Sequence, residues 1–419
     1  MRRRLSATLV LTYLCADLAG ASALEFVHAT IYTEPGRPPI RDGTILIRGN
    51  RIVTVGMTKD VATRQFRQPL AVYDGTGLTI TAGFWNSHVH LLPPPLLHAE
   101  KHASAVLNEQ MQTMFNSWGF TTVFDIASPL SNTNLIRRKI AAGALIGPRI
   151  LTTGEPFFAE APVYVQRFLA ENHIVMPVTS SASEARSRVD GQVRSGADAI
   201  KIFAGSIEAN GIVLLPLDVA KAVVAEAHHN HRLVFSHPSS IKGVELSLDS
   251  GVDILAHVST FEGRWSPSLL RRMVASHLSL IPTLTLFDVE AAKDHASAGD
   301  TRQLLELAVG QLRSFRAAGG EVLFGTDIGY TDHYDTAEEF SLMKEAGMSF
   351  PEILASLTTV PAQRFGYGER SGRIAVGKEA DLTVLKADPA GDITALARVI
   401  YTVRAGRIIF ADSSRRWQK

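Results

Sequence analysis

Between residues 83 and 325 eight short apolar runs recur, each followed by enough chain for a helix. They are Gly83–His88, Thr121–Asp125, Arg149–Thr153, Ala199–Phe203, Leu233–Ser236, Ile254–His257, Leu278–Pro282 and Val322–Gly325. Helical patterns such as Pro216–Ala227 and Ala337–Ala346 fill the gaps. Strands that alternate with helices must pair in parallel through crossovers, and eight of them predict a (β/α)8 TIM-like barrel over residues 81–367. The chain ends read differently. Thr44–Gly56 holds two apolar runs around Gly49-Asn50, a hairpin pattern, and Asp381–Leu385, Val399–Val403 and Arg407–Phe410 are strand-like near the other end. A small β-sandwich assembled from residues 24–80 and 368–412 is therefore expected beside the barrel. No repeat of fixed period and no linker-like stretch interrupts this plan.

Composition narrows the partners more than the fold. Lys+Arg is 42 against Asp+Glu 41, which gives no electrostatic case for nucleic acid or a membrane surface. The single cysteine, Cys15, rules out an internal disulfide and a multi-cysteine zinc site. Arg2-Arg3-Arg4, the short apolar run Leu5–Leu14 and Ala21-Ser22-Ala23 form the pattern of a secretory signal peptide over residues 1–23, with cleavage after Ala23. The run is about half of what a bilayer span needs. The expectation is a secreted or periplasmic protein, with no membrane association after cleavage, acting on a small molecule and free to form a homo-oligomer.

In such barrels chemistry sits at the C-terminal ends of the strands. Strand 1 closes on His88-Val89-His90, and alternation allows both imidazoles to face the axis. Strand 4 carries Lys201 in an apolar setting, strand 5 ends in His237, strand 6 in His257 and strand 8 in Asp327. Imidazole and carboxylate suit zinc and similar divalent ions. A lysine ammonium cannot ligate a cation, but a lysine whose pKa is depressed by burial can take up carbon dioxide as an anionic carbamate able to bridge two metals. Two such ions sharing a hydroxide would acidify it and polarise a substrate carbonyl. Taken singly these residues have ordinary readings, a loop histidine pair, a strand-end lysine, a helix N-cap aspartate. Their order along successive strand ends favours the metal reading.

That order, His88-x-His90, Lys201, His237, His257, Asp327, resembles the amidohydrolase superfamily in its binuclear, carboxylated-lysine form. The end segments are similar as well: Asp42-Gly43-Thr44 leading to Gly56, Gly372–Leu382, Asp392-Ile393 and Val403–Gly406. Within the superfamily the chain most resembles the imidazolonepropionase-like group, which includes exported dipeptidases acting on Xaa-Pro or on C-terminal basic dipeptides. The resemblance implies two divalent ions, zinc by default. His88 and His90 with Asp327 would hold the more buried one, His237 and His257 the second, and carboxylated Lys201 would bridge them. Asp327 would also be the catalytic proton shuttle. The implied activity is hydrolysis of the C–N bond of a dipeptide or N-acyl amino acid by a metal-bridging hydroxide. Cyclic amides of the imidazolone kind, esters and lactones are the alternative on the same site, and a non-catalytic binding protein would show a lost ligand position, of which there is none.

The chain departs from the family pattern at Asn86, where an aspartate is usual, and after His237, where Pro238-Ser239-Ser240 replaces Ala-Tyr. Gly154-Glu155-Pro156-Phe157-Phe158 replaces a Gly/His-rich loop. Tyr164, Tyr330 and His333 are the candidate substrate contacts, with Arg264 a further rim residue. His98 and His102 are expected on one helix after a stiff Pro93-Pro94-Pro95 loop, and His228, His229 and His231 at a helix C-terminus, where cationic side chains are favoured.

Overall fold

The computed structural model of this chain describes residues 23–61, 70–159, 162–172, 174, 176, 178–208 and 211–412. The expected leader and Cys15 lie outside the described residues, apart from Ala23, which opens the first strand. No helix among the described residues is long and apolar enough to cross a membrane.

The chain ends meet in one eight-stranded sheet. The N-terminal part supplies β1 (Ala23–Ile31), β2 (Ile40–Arg48), β3 (Arg51–Met57), β4 (Leu70–Asp74) and β5 (Thr79–Ala82). Arg48 faces Arg51 across the turn, so Gly49-Asn50 is the two-residue connection of a hairpin, with Gly49 at φ 57. β5 carries the C-terminal part, because it pairs in parallel with β1 and antiparallel with a strand at Leu382–Leu385. Phe26, Ile45, Ile47, Ile80, Leu382 and Tyr401 form its core, with the Phe26 and Tyr401 rings 5.9 Å apart. The expected β-sandwich is not confirmed: these strands belong to one hydrogen-bonded sheet, in which Arg407–Ala411, Val399–Arg404 and Leu382–Leu385 lead in that order to β5-β1-β2-β3, with β4 paired to β1.

Eight parallel strands follow in two groups. β6 (Phe84–Val89), β7 (Phe120–Asp125) and β8 (Arg149–Thr152) form the first. After β9 (Ala199–Phe203) comes a hairpin of β10 (Gly205–Glu208) and β11 (Gly211–Leu214) that interrupts the strand–helix alternation. The second group is completed by β12 (Leu233–His237), β13 (Ile254–Ala256), β14 (Ser279–Ile281) and β15 (Glu321–Val322), in the order β15-β14-β13-β12-β9. β16 (Leu382–Leu385), β17 (Val399–Arg404) and β18 (Arg407–Ala411) return to the end sheet.

The two parallel groups touch at both edges through single bridges, Val89 with Ile328 and Phe157 with Ile202. Backbone hydrogen bonds reinforce them: Ser87 N donates to Phe324 O at 2.8 Å and Phe157 N to Lys201 O at 2.8 Å. A continuous eight-stranded ladder is absent among the described residues. Gly154 at φ 68 takes the chain out of extended conformation after β8, and Asp327 at φ 62 does so after β15. Between the strands Trp85, Phe124, Leu151, Ala199, Phe235, Ile254, Ile281 and Leu323 pack as one cluster. Side chains two residues further along a strand share its face. Lys201 follows Ala199 in this way, and His237 follows Phe235, so the apolar layer is the floor on which the polar site stands.

Two local expectations are corrected. Pro94 and Pro95 open the short helix Pro94–Leu97, since proline lacks only an N–H that the first turn cannot use. His98 ends that helix and His102 precedes the next, Ser104–Met114, so the two histidines do not share a helical face.

Candidate metal centre

Strand geometry, one register irregularity and two residues of positive φ together aim six side chains into one cavity. Lys201 and His237 arrive by simple alternation. His88 is displaced by a register irregularity between Asn86 and Val89 in the pairing of β6 with β7. His257 and Asp327 lie just beyond β13 and β15 with φ of 76° and 62°. Left-handed backbone at a non-glycine residue costs about 1–3 kcal/mol, and such strain concentrates at functional sites. Here it turns two ring and carboxylate groups inward that straight strands would send elsewhere.

The resulting geometry is tight. His88 Nε2 and His90 Nε2 lie 3.0 and 2.8 Å from Asp327 Oδ1. Potential ligand atoms of His88, His257 and Asp327 all fall within 4.8 Å of one another. The His88 and His257 rings are 4.5 Å apart, and those of His237 and His257 4.8 Å. His237 stacks on Phe203 at 4.7 Å, and Lys201 Nζ sits 5.6 Å from the same ring. Lys201 is only 1% exposed and makes no ion pair with a described carboxylate.

The electrostatics suit a cation. Burial lowers the His88 pKa to about 4 despite the opposing pull of Asp327, and burial holds His237 and His257 well below the usual histidine range. The rings are therefore neutral near pH 7, with lone pairs available to a metal. Burial alone would raise the Asp327 carboxyl, yet His88 and His90 outweigh it and hold it well below the usual carboxylate range. Burial pushes Lys201 down to about 7, with Asp327 pulling the other way. Nδ1 of His88 and of His90 are buried without a hydrogen-bond partner among the described residues. Four imidazoles, a carboxylate and a buried amine with no ion pair among the described residues fit divalent cations better than they fit one another.

Three residues support the central six from behind. Thr283, at φ 46, donates its hydroxyl to Pro282 O at 2.8 Å, so it can only accept from His257 Nδ1, 2.6 Å away. That fixes the proton on Nδ1 and leaves Nε2 as the lone-pair nitrogen of His257. Asn86 donates Nδ2 to Thr326 Oγ1 at 2.7 Å and accepts from His88 N at 3.2 Å, which ties the His88 strand to the Asp327 segment. Asp125 is fully buried at the end of β7 and accepts from Ser128, Thr133 and Thr152 hydroxyls at 2.5, 2.8 and 3.1 Å and from Leu91 N at 3.4 Å. It anchors the backbone next to His90. A charged residue closing an apolar strand was its visible signal.

The candidate substrate contacts divide. All six central residues line a cavity of about 470 Å³, and so do Tyr330 and Ser239. Lys293 Nζ lies 4.2 Å over the Tyr330 ring. His333 is not among the lining residues; its Nε2 turns to the Glu338 carboxylate, 3.9 Å away. Arg264 is exposed and also outside the cavity lining. Tyr164 falls in the helix Val163–Glu171, whose Val165, Phe168 and Leu169 do line the cavity, but its own side chain lies outside the described residues. Ser240 caps the helix Ile241–Ser250, which accounts for one of the residues after His237. His228 pairs with Asp253 at 2.8 Å, far from any metal role.

The chain was compared with known families and structures. The family model described as the amidohydrolase family matches residues 79–409. No curated protein matches the chain. Among solved structures, a Xaa-Pro dipeptidase with methionine bound in its active site superposes with a TM-score of 0.80 at 22% identity, covering 93% of this chain and 100% of that one. The ochratoxinase of A. niger gives 0.74 at 18% identity over 94% and 99%. Phenylurea hydrolase B gives 0.75 at 22% identity over 94% and 97%.

Proposed function

The chain belongs to the amidohydrolase family and is a hydrolase of carbon–nitrogen bonds, and on that premise we propose that it is an exported, metal-dependent enzyme that cleaves the amide bond of a small substrate. Dipeptides and N-acyl amino acids are the first classes to test. The observation that carries this reading is the convergence of His88, His90, Lys201, His237, His257 and Asp327 on one cavity. We read the two parallel groups of strands as one (β/α)8 barrel and the end sheet as its composite β domain. Cleavage after Ala23 would free the mature chain from Leu24 onward.

In this proposal His88, His90 and Asp327 hold one divalent ion and His237 and His257 the other, with zinc the default from ligand type. When bound, such a pair supplies a Lewis acid for the amide carbonyl and lowers the pKa of water. Lys201 becomes an anionic ligand when its neutral amine adds to carbon dioxide, forming an N–C bond and releasing a proton. Its burial favours the neutral amine that this needs, against the opposing pull of Asp327. Asp327 accepts a proton from the attacking water and returns it to the leaving nitrogen. Tyr330, in the cavity wall, orients the substrate carbonyl in place of the tyrosine absent after His237.

The test is turnover of a pooled library of dipeptides, N-acyl amino acids and cyclic amides by the mature chain, before and after chelation and dialysis. The expected result is hydrolysis of at least one pool that chelation abolishes and zinc restores. Chelation-insensitive turnover would overturn the metal reading.

A further inference from the structure

One buried carboxylate takes no part in the chemistry above. Glu339 lies in the first turn of the helix Ala337–Glu345 and is 1% exposed. A carboxylate in such a place is costly unless hydrogen bonds satisfy it. Its bonds lead to one short segment: Oε1 accepts from Leu284 N at 2.9 Å, and Oε2 from Thr285 N at 2.8 Å and the Thr285 hydroxyl at 3.0 Å. These amides open the helix Thr285–Lys293, whose N-cap residue is Leu284. A leucine has no side-chain oxygen to cap a helix. Glu339 supplies the cap from a different helix, and its negative charge suits that end.

The residue just before this segment meets the metal centre. Thr283 is fully buried at φ 46, and its hydroxyl lies 2.6 Å from His257 Nδ1. On the other side the corner is tied to the end of β14. The Thr283 hydroxyl donates to Pro282 O at 2.8 Å, and His257 N donates to Ile281 O at 2.8 Å. Left-handed backbone at a threonine persists only where its surroundings hold it. Here β14 holds one side and Glu339 the other. Resting on the metal-hydrolase reading above, we propose that Glu339 is a positioning residue for the second metal. By clamping Leu284 and Thr285 it keeps the Thr283 hydroxyl against His257 Nδ1, and so aims His257 Nε2 at the ion that His257 shares with His237. Glu339 itself touches neither metal nor substrate.

The test is the zinc affinity of the full chain, read by competition with a chromophoric chelator that resolves two ions. Burial pushes the Glu339 carboxyl up to about 7, so the titrations are run at about pH 8, where it is ionised. Glu339→Gln keeps the shape but puts an NH2 where one oxygen accepted an N–H. It is expected to weaken the second zinc by about 10- to 100-fold, the range for losing an outer partner of a metal ligand, and to leave the first unchanged. Thr283→Val removes the hydroxyl at nearly constant size and should act alike, while Thr283→Ser, which keeps it, should retain the second zinc. Because Glu339 acts through Thr283, Glu339→Gln added to Thr283→Val should cost no further affinity, a coupling that a purely structural role lacks. Thr285→Val, which removes only the hydroxyl bond to Glu339, should weaken the same ion by less, and it carries the test if Glu339→Gln does not fold. Unchanged zinc affinity in these Glu339 and Thr285 variants, equal weakening of both ions, or additive losses in the double variant would overturn the positioning role and leave the metal reading standing. A wild type that binds no zinc would overturn both.

Discussion

Asp327→Asn is expected to lower kcat/KM by about 10²- to 10⁴-fold, the range for loss of a positioned proton-transfer group, while leaving the fold intact. The carboxyl is 3% exposed, and its Oδ1 lies within 3.0 Å of two imidazole nitrogens. Asparagine has the same shape, and it tolerates the left-handed backbone that Asp327 adopts at φ 62 better than most residues do. The backbone bonds at this corner, Asp327 N to His88 O at 2.9 Å and Thr331 N to Asp327 O at 3.1 Å, do not involve the side chain. What the substitution removes is the negative charge and the capacity to carry a proton. Steady-state kinetics with a thermal melt separates the two effects. A melting temperature close to wild type with activity gone is the expected outcome, and retained turnover would remove Asp327 from the chemistry.

Gly329→Ala is expected to have the largest effect on stability, about 3–5 kcal/mol, and to abolish activity. Gly329 has φ of +100°, and a Cβ there would stand 1.8 Å from the carbonyl oxygen of His90. The neighbouring backbone cannot yield cheaply, because His90 N donates to Ile328 O at 2.8 Å and Gly329 N to Thr331 O at 2.9 Å. The clash therefore separates the segment carrying His90 from the one carrying Asp327, and a misplacement of about 1 Å in such a constellation can cost about 10²-fold in rate. Gly366→Ala is the control. Its φ is +78°, but its Cβ would meet nothing within 4 Å, so it carries the backbone cost alone. Thermal denaturation of the two variants should differ by several degrees or more, with Gly366→Ala fully active. Similar melting temperatures would mean that the His90 and Asp327 segments are not held against each other as described.

The parts of this site that follow strand alternation were legible in the sequence. Lys201 after Ala199 and His237 after Phe235 are cases where a period of two carries a polar residue onto the face of the apolar layer. The hairpin at Gly49-Asn50 was legible for the same local reason. What depended on backbone outside strands was not. His257 and Asp327 could be named from their places after strands, but the positive φ that turns them into the cavity could not be read from their neighbours. Thr283 acts on His257 across 26 positions of chain, so its role appears only once β13 and β14 lie side by side. His333 read as a rim residue from its place after the last strand, yet the turn that follows Asp327 delivers it to Glu338. The cavity lining also takes Ile207 from the β10–β11 hairpin, an insertion that breaks the strand–helix rhythm and that no sequence pattern announced.

The central claim is that these six side chains form one divalent metal site. Metal content of the purified mature chain, measured by mass spectrometry beside Lys201→Ala and His88→Ala, tests it most directly. The wild type is expected to hold about two ions per chain, as two-metal hydrolytic sites do, with both variants folded and reduced to about one or none. A wild-type chain that takes up no ion from excess zinc, or variants that retain the full complement, would contradict it.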